Sequence, residues 1–250
     1  KYIGEKWGGK FLRAPDIFLE LIEKDVFVKL KQTCRVIGYV HDNNTGKTFR
    51  CCHFIKSVKD TRTILLSKNS FGVVQYGVED EGNSREVAPI LFARTYGRDH
   101  LVLRNKGGVV GKEFYRIFPQ NIEIDLMTVF LNSSFFLLER ELLGTANLGG
   151  GALKFSIRDI ENFLIPRKLK TLGDYKPDSF FVREIKPLFE EIGIDEKKPV
   201  REQEPKPLPD RKRLDDIVFD AIGLTQPERK EVYWSVCELV KTRLDKAGSV

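Results

Sequence analysis

The sequence predicts an α+β protein in which a mixed, mostly antiparallel β region is followed by helices and closed by a C-terminal α-helical hairpin. Three observations carry this. Residues 27–118 break into short alternating apolar runs separated by turn clusters such as Asn43-Asn44-Thr45-Gly46 and Lys106-Gly107-Gly108. From Ile124 the apolar residues recur at helical spacing, and after a proline-rich stretch two further amphipathic segments follow. No strand alternates with a helix in the β region, so a parallel doubly wound sheet is excluded.

With 250 residues, 41% of them hydrophobic and 18 of them Phe, the chain can bury a sizeable core. The net charge is +6 at a pI near 9.0. Its distribution matters more than its total: Lys31 to Arg116 holds 15 Lys and Arg against 8 Asp and Glu. A basic excess concentrated in one third of the chain suits a nucleic-acid partner. Cys34, Cys51, Cys52 and Cys237 show no C-x-x-C spacing, which points to a reducing, cytoplasmic setting. Cys51-Cys52-His53 with His41 fits no standard zinc module. No secretory signal or membrane-length apolar run is present, because Asp125, Asn132 and Glu139 interrupt the longest candidate.

Taken in order, residues 1–15 are aromatic and glycine-punctuated, and Pro15 sits in the first turn of a helix running to about Glu23, with Ile17, Phe18, Leu21 and Ile22 on its apolar side. Strands are expected at 27–31, 34–40, 48–55, 63–66, 73–76, 87–94, 101–105 and 114–118. One helix is expected over 124–143, stopped by Gly144. Ser156 and Asp159 form a short capping box opening a second helix, and Leu164-Ile165-Pro166 leaves it as an extended segment. A helix over 179–192 should be interrupted by Pro187. Residues 196–210, with Pro199, Pro205, Pro207 and Pro209, have linker composition. Beyond them, Leu214, Ile217, Val218 and Ile222 line one helix ended by Gly223. Thr225-Gln226-Pro227-Glu228 caps another with the stripe Tyr233, Val236, Val240 and Leu244. Two such helices cannot enclose a core alone, so the hairpin must dock.

Two places invite functional readings. Gly149, Gly150 and Gly151 join two helices, and serve either as a left-handed connection or as a close approach of backbone to a phosphate or another chain, flanked by Asn147 and Lys154. Arg94, Tyr96, Arg98, Arg104, Lys106 and Lys112 cluster around two turns, with Tyr76, Phe114 and Tyr115 nearby. They are either solvated turn charge or a DNA surface, on which an arginine reads guanine O6/N7 or holds a phosphate.

The same residues carry a resemblance. Leu131-Asn132-Ser133-Ser134, then Leu143-Gly144 and Asn147-Leu148-Gly149-Gly150-Gly151-Ala152-Leu153-Lys154, then Asp159-Ile160 and Leu164-Ile165-Pro166, resemble the end of a target-recognition domain. Such domains belong to the adenine-N6 DNA methyltransferases of restriction-modification systems, the type IIG and TaqI-like enzymes. The run from Pro89 to Arg98, the stretch 101–105 with 108–110, the lead-in from Trp7 to Phe18, and the tail from Leu214 to Leu224 with Arg229 and Tyr233 are similar to the same family.

The resemblance implies four parts. Residues 1–26 form a lead-in segment and helix from an upstream catalytic domain, consistent with Lys1 not being a natural start; 27–195 form the target-recognition domain; 196–210 are a Pro-rich linker; and 211–250 are the terminal hairpin. It implies double-stranded DNA and the methyltransferase domain as partners, no membrane, and S-adenosylmethionine held by the catalytic domain. No cofactor is expected in this chain. The chemistry of adenine methylation needs an Asn/Asp-Pro-Pro-aromatic loop to grip the flipped base, and the chain has no Asn-Pro or Asp-Pro dipeptide. Gly149-x-Gly151 follows a helix, not a strand, so it is no cofactor turn. Pro177-Asp178 with Glu184-Ile185-Lys186 mimics a metal-nuclease signature, but the gap lies inside one apparent helix and leaves no room for converging strands. The expectation is a binding, non-catalytic portion of a site-specific adenine-N6 methyltransferase or fused restriction enzyme. The alternative of another class is a protein-interaction or assembly subunit without DNA contact.

Overall fold

The computed structural model describes residues 13–38, 53–58, 61–70, 72–75, 87–97, 100–146, 151–169 and 175–248. Among the described residues, thirteen short strands, β1 to β13, lie among eight helices, α1 to α8, and the α+β class is observed.

The β region centres on a five-stranded sheet in the order β2 (Cys34–Ile37), β10 (Phe114–Pro119), β6 (Ile90–Ala93), β8 (Leu103–Asn105), β4 (Leu65–Leu66). Its pairs are antiparallel except β4 with β8. A second sheet joins β5 (Val74–Gln75), β3 (His53–Ile55) and β9 (Val110–Gly111), and a third joins β11 (Thr145–Ala146), β12 (Leu153–Lys154) and β7 (Thr95–Tyr96). β1 (Phe27–Lys29) pairs antiparallel with β13 (Leu164–Pro166), so the extended Leu-Ile-Pro segment is a strand. A strand is found at each position expected from alternation; β10 runs one residue past its expected end, and residues 39, 40, 48–52 and 76 of the expected strands lie outside the described residues.

α1 (Asp16–Glu23) buries Ile17, Phe18 and Leu21. The single helix expected over 124–143 is instead two, α2 (Ile124–Leu131) and α3 (Ser134–Leu143). The break is held by side-chain hydrogen bonds, one set of them long-range. Asn132 Nδ2 donates to the carbonyls of Val102 and Thr128, both at 2.9 Å, and its Oδ1 accepts from Val102 N–H at 3.0 Å. Ser133 Oγ accepts from Phe136 N–H at 3.2 Å and caps the second helix. Such residues offer the backbone partners that a continuing helix would have to forgo.

α4 (Ile157–Glu161) starts at the expected Ser156–Asp159 capping box. Pro187 separates α5 (Asp178–Val182) from α6 (Leu188–Ile192). The hairpin is α7 (Pro209–Ile222), stopped by Gly223 at φ 79°, and α8 (Gln226–Gly248), opened by the Thr225–Glu228 box. Residues 196–210 are tied down along α8 and α6. Arg201 reaches Glu231 at 2.8 Å and Glu238 at 2.9 Å, Trp234 Nε1 donates to Gln203 O at 2.8 Å, and Leu208 N–H donates to Glu191 O at 2.9 Å.

The core converges on Phe92 of β6. Its ring meets Tyr96, Phe136, Phe155 and Phe163 within 5.0 to 6.3 Å, mostly edge to face. The β region, α3 and the segment after β12 therefore share one apolar cluster. α7 and α8 dock on it through buried polar groups. Asp215 accepts from Ser134 N–H at 2.6 Å, Ser134 Oγ at 2.7 Å and Tyr233 Oη at 3.1 Å. Arg211 pairs with Glu191 at 3.2 Å and donates to Asn132 O. Among the described residues no helix is long and apolar enough to cross a membrane.

Candidate nucleic-acid interface

β6 carries the basic candidates at its two ends, and the ends differ. At its start, Arg104 faces Ile90 across the β6–β8 ladder and its guanidinium is held by Asp125 at the start of α2. Its side chain is only 13% exposed. Lys106 lies 3.6 Å from Asp178 and 4.0 Å from Asp125. Arg104 is therefore spent on joining the sheet to α2, and Lys106 is part of the same mixed cluster.

At the far end, the backbone of Arg94 is anchored on both sides: its N–H donates to Glu113 O at 2.9 Å, and its carbonyl accepts from Phe155 N–H at 3.1 Å. Those two bonds bring three segments together. Lys112 precedes Glu113, and its own N–H donates to Ile55 O at 2.9 Å. Lys154 precedes Phe155, is exposed, and sits opposite Thr95 in the β7–β12 ladder. Arg94 and Lys112 are half-buried. Lys154 thus lies on β12, Arg94 in the bend between β6 and β7 and Lys112 in the turn between β9 and β10, and their backbones meet about 13 Å along β6 from the Arg104 end at about 3.3 Å per residue.

Tyr96 belongs to the interior. It is 1% exposed, its hydroxyl accepts from Ala93 N–H at 2.9 Å, and the Arg140 guanidinium stacks 3.6 Å from its ring centre. Burial pushes its phenol up to about 12, so it stays protonated. Phe114 and Tyr115 are likewise buried, with Tyr115 Oη donating to Phe155 O at 2.7 Å. Arg98, Asn147, Gly149 and Gly150, with Tyr76, lie outside the described residues.

Gly151 shows why glycine is needed there. Its φ is +59°, and a Cβ on it would stand 2.8 Å from Ala247 Cβ on α8. The close approach is to the chain's own C-terminal helix.

Sequence reasoning missed the buried charges behind this surface. Arg243 of α8 is 6% exposed, pairs with Glu141 of α3 at 2.8 and 2.9 Å, and donates to Gly151 O and, at 3.4 Å, to Gly97 O. Arg140 Nη2 lies 3.4 Å from His100 Nδ1, which must accept. That leaves His100 Nε2 sealed from solvent without a hydrogen-bond partner. Burial, then the Arg140 cation, hold this imidazole well below its usual value and so neutral. The signal was present: Glu139-Arg140-Glu141 sits in a helix whose other residues, Ser134 apart, are all apolar. Among the described residues no group of three or more His, Cys, Asp or Glu could hold a metal ion. Asp178 and Glu184, the carboxylates of the nuclease-like pattern, are turned to Lys106 and Arg62.

No protein-family model and no curated protein matches the sequence. In fold, the chain is similar to part of a restriction enzyme of type IIG. The structure is that of the type IIG restriction endonuclease BpuSI, with a TM-score of 0.65 at 12% identity over 96% of this chain and 34% of the endonuclease. The HsdS subunit from Thermoanaerobacter tengcongensis aligns over 95% of this chain and 53% of its own, with a TM-score of 0.35 at 14% identity. The chain spans about a third of the length of BpuSI, and at this identity the likeness is one of fold.

Proposed function

We propose that this chain is the DNA target-recognition portion of a restriction-modification protein, serving an adenine-N6 methyltransferase whose catalytic domain, with its S-adenosylmethionine, lies outside these residues. The observation that carries the reading is the double anchoring of Arg94, which brings the backbones of Arg94, Lys112 and Lys154 together at one end of the β region. The fold shared with a type IIG restriction endonuclease over 96% of the chain supports it. So does the concentration of positive charge between Lys31 and Arg116.

Backbone-anchored cations beside short strands suit a phosphate track, because the duplex presents a regular row of charges and the protein need not reorganise to meet it. Lys112 and Lys154 would hold phosphates and Arg94 would hold a phosphate or read a base edge. Tyr96 would support the surface from behind, and Arg104 and Lys106 would stand apart from it at the other end of β6. Adenine flipping and methyl transfer would fall to the catalytic domain, in a cytoplasmic enzyme.

The test is binding of the whole chain to duplex DNA across a salt series. If about three phosphates are neutralised, log affinity falls against log salt with a slope of roughly −3. Lys112→Ala and Lys154→Ala should each reduce that slope by about one. Binding that ignores salt, or that survives the double replacement, would instead favour a protein-interaction subunit.

A further inference from the structure

We propose that Arg243, on the C-terminal helix, is a positioning residue for this interface: it grips the ends of β7 and β12 and sets the geometry of a surface that it does not itself reach. The inference rests on the DNA-binding reading above and adds to it the part played by the hairpin.

The guanidinium is spread over three elements. It makes two bonds to Glu141 on α3, one to Gly151 O just before β12, and one to Gly97 O just after β7. β7 and β12 are paired, Tyr96 with Leu153 and Thr95 with Lys154. Arg243 therefore closes the end of the two-strand ladder whose other residues carry Lys154 and, through Phe155, Arg94. Gly151 meets α8 so closely that a methyl group would not fit against Ala247. The helix and the strand ends thus form one unit, and the ion pair with Glu141 fixes where that unit sits on the core.

The residue type is part of the argument. Arginine has five donors in a planar fork and can satisfy a carboxylate and two carbonyls at once. A lysine can keep the charge pair with Glu141, but its three donors sit on one nitrogen and cannot span the carboxylate and both carbonyls. Arg243→Lys therefore separates the clamp from the charge.

The experiment compares the whole wild-type chain, Arg243→Lys, Lys154→Ala and Tyr233→Phe. The last removes a contact between α8 and α7 at Asp215, away from Gly97 and Gly151. Two quantities are measured: amide exchange at 95–97 and 151–155, and the salt slope of binding to a short duplex of arbitrary sequence. Arg243→Lys should speed exchange at both strand ends and reduce the slope by about one. Over the decade from about 0.1 to about 1 M salt, that is roughly an eightfold loss of affinity at the lower end. Tyr233→Phe should change neither.

Unchanged exchange in Arg243→Lys would overturn the clamp. So would faster exchange with an unchanged slope in a protein whose slope does respond to Lys154→Ala, and so would equal effects from Tyr233→Phe. If the wild-type chain shows no salt-dependent binding, the DNA reading falls, while the exchange data still decide whether Arg243 holds the strands. Should Arg243→Lys not fold, Arg243→Gln with Glu141→Gln removes both buried charges together and gives the same two readouts.

Discussion

In the helical half, Glu141, Glu191, Arg211, Asp215 and Arg243 are all nearly inaccessible, and each meets an opposite charge or several hydrogen-bond partners on another element. In the β half, the positive excess sits at strand ends and turns, with Lys154 exposed and Arg94 and Lys112 half-buried. The two halves share an apolar core but use charge differently. Buried charge is costly to leave unmatched, so it specifies which helix docks where. Surface charge is cheap to keep and adds little to stability, so it does little to specify the fold.

The most severe test of this contrast is Asp215→Ala. It strands three donors in the interior: Ser134 N–H, Ser134 Oγ and Tyr233 Oη. It also leaves the Arg211 cation with less compensation. Stability should fall by about 3–5 kcal/mol in chemical denaturation, against well under 1 kcal/mol for Lys154→Ala. Comparable losses from the two replacements would abolish the distinction between the halves.

Gly151→Ala should cost about 1–3 kcal/mol, because a side chain at φ +59° is strained and its methyl meets Ala247 at 2.8 Å. Gly223→Ala probes the φ penalty without the contact, since nothing lies within 4 Å of a Cβ there. The excess of the first loss over the second measures how tightly α8 is seated on the strand ends. Equal losses would mean that the contact contributes nothing.

A smaller effect depends on pH. His100 has a depressed value in the folded protein because its ring is buried and the Arg140 cation is beside it. Its unfolded value is near 6.5, so below that pH the unfolded chain binds a proton that the folded chain refuses. Stability contributed by the neutral ring is therefore present above about pH 6.5 and lost as pH falls, by at most about 1.4 kcal/mol per pH unit. The stability of His100→Gln should vary less between about pH 6.5 and 5 than that of the wild type. An equal slope in both proteins would show that the imidazole is protonated in place.

Much of the fold was legible because local rules act within a few residues. Ser156 with Asp159, Thr225 with Glu228, Gly223 and Pro187 each punctuate the chain where their own chemistry requires it. The break at Asn132 was not legible, since its partner Val102 is thirty residues away and only the assembled sheet supplies it. The site was legible as a list of cations and not as a surface. Spacing put Arg94 and Arg104 in one patch, whereas the strand between them carries them to opposite ends. Tyr96, an aromatic at a turn by sequence, packs under Arg140 because the pleat turns it inward. Residues 196–210 had linker composition, yet Arg201, Gln203 and Leu208 fasten them to α8 and α6, contacts that composition cannot register.

The smallest expected effect sharpens the contrast from the other side. Arg62 and Glu184 make an ion pair between the two halves at 3.2 Å, with side chains 74% and 50% exposed. Each is a long chain that loses rotamer freedom when held, and solvent screens the attraction between them. A double-mutant cycle on Arg62→Ala and Glu184→Ala should give a coupling of about 0.2–0.5 kcal/mol, fading as salt is raised. The same cycle on Arg183 and Glu191, where the carboxylate is 1% exposed and the pair lies 2.7 Å apart, should give several times more and resist salt. Glu184 is also the glutamate of the nuclease-like pattern, and Ile185 beside it donates its N–H to Arg62 O at 2.8 Å. If that pattern held a metal, Glu184→Ala would abolish a divalent-ion effect on stability. The surface-pair account expects the magnesium response of wild type and Glu184→Ala to be the same, and a clear difference would return Asp178 and Glu184 to consideration as ligands.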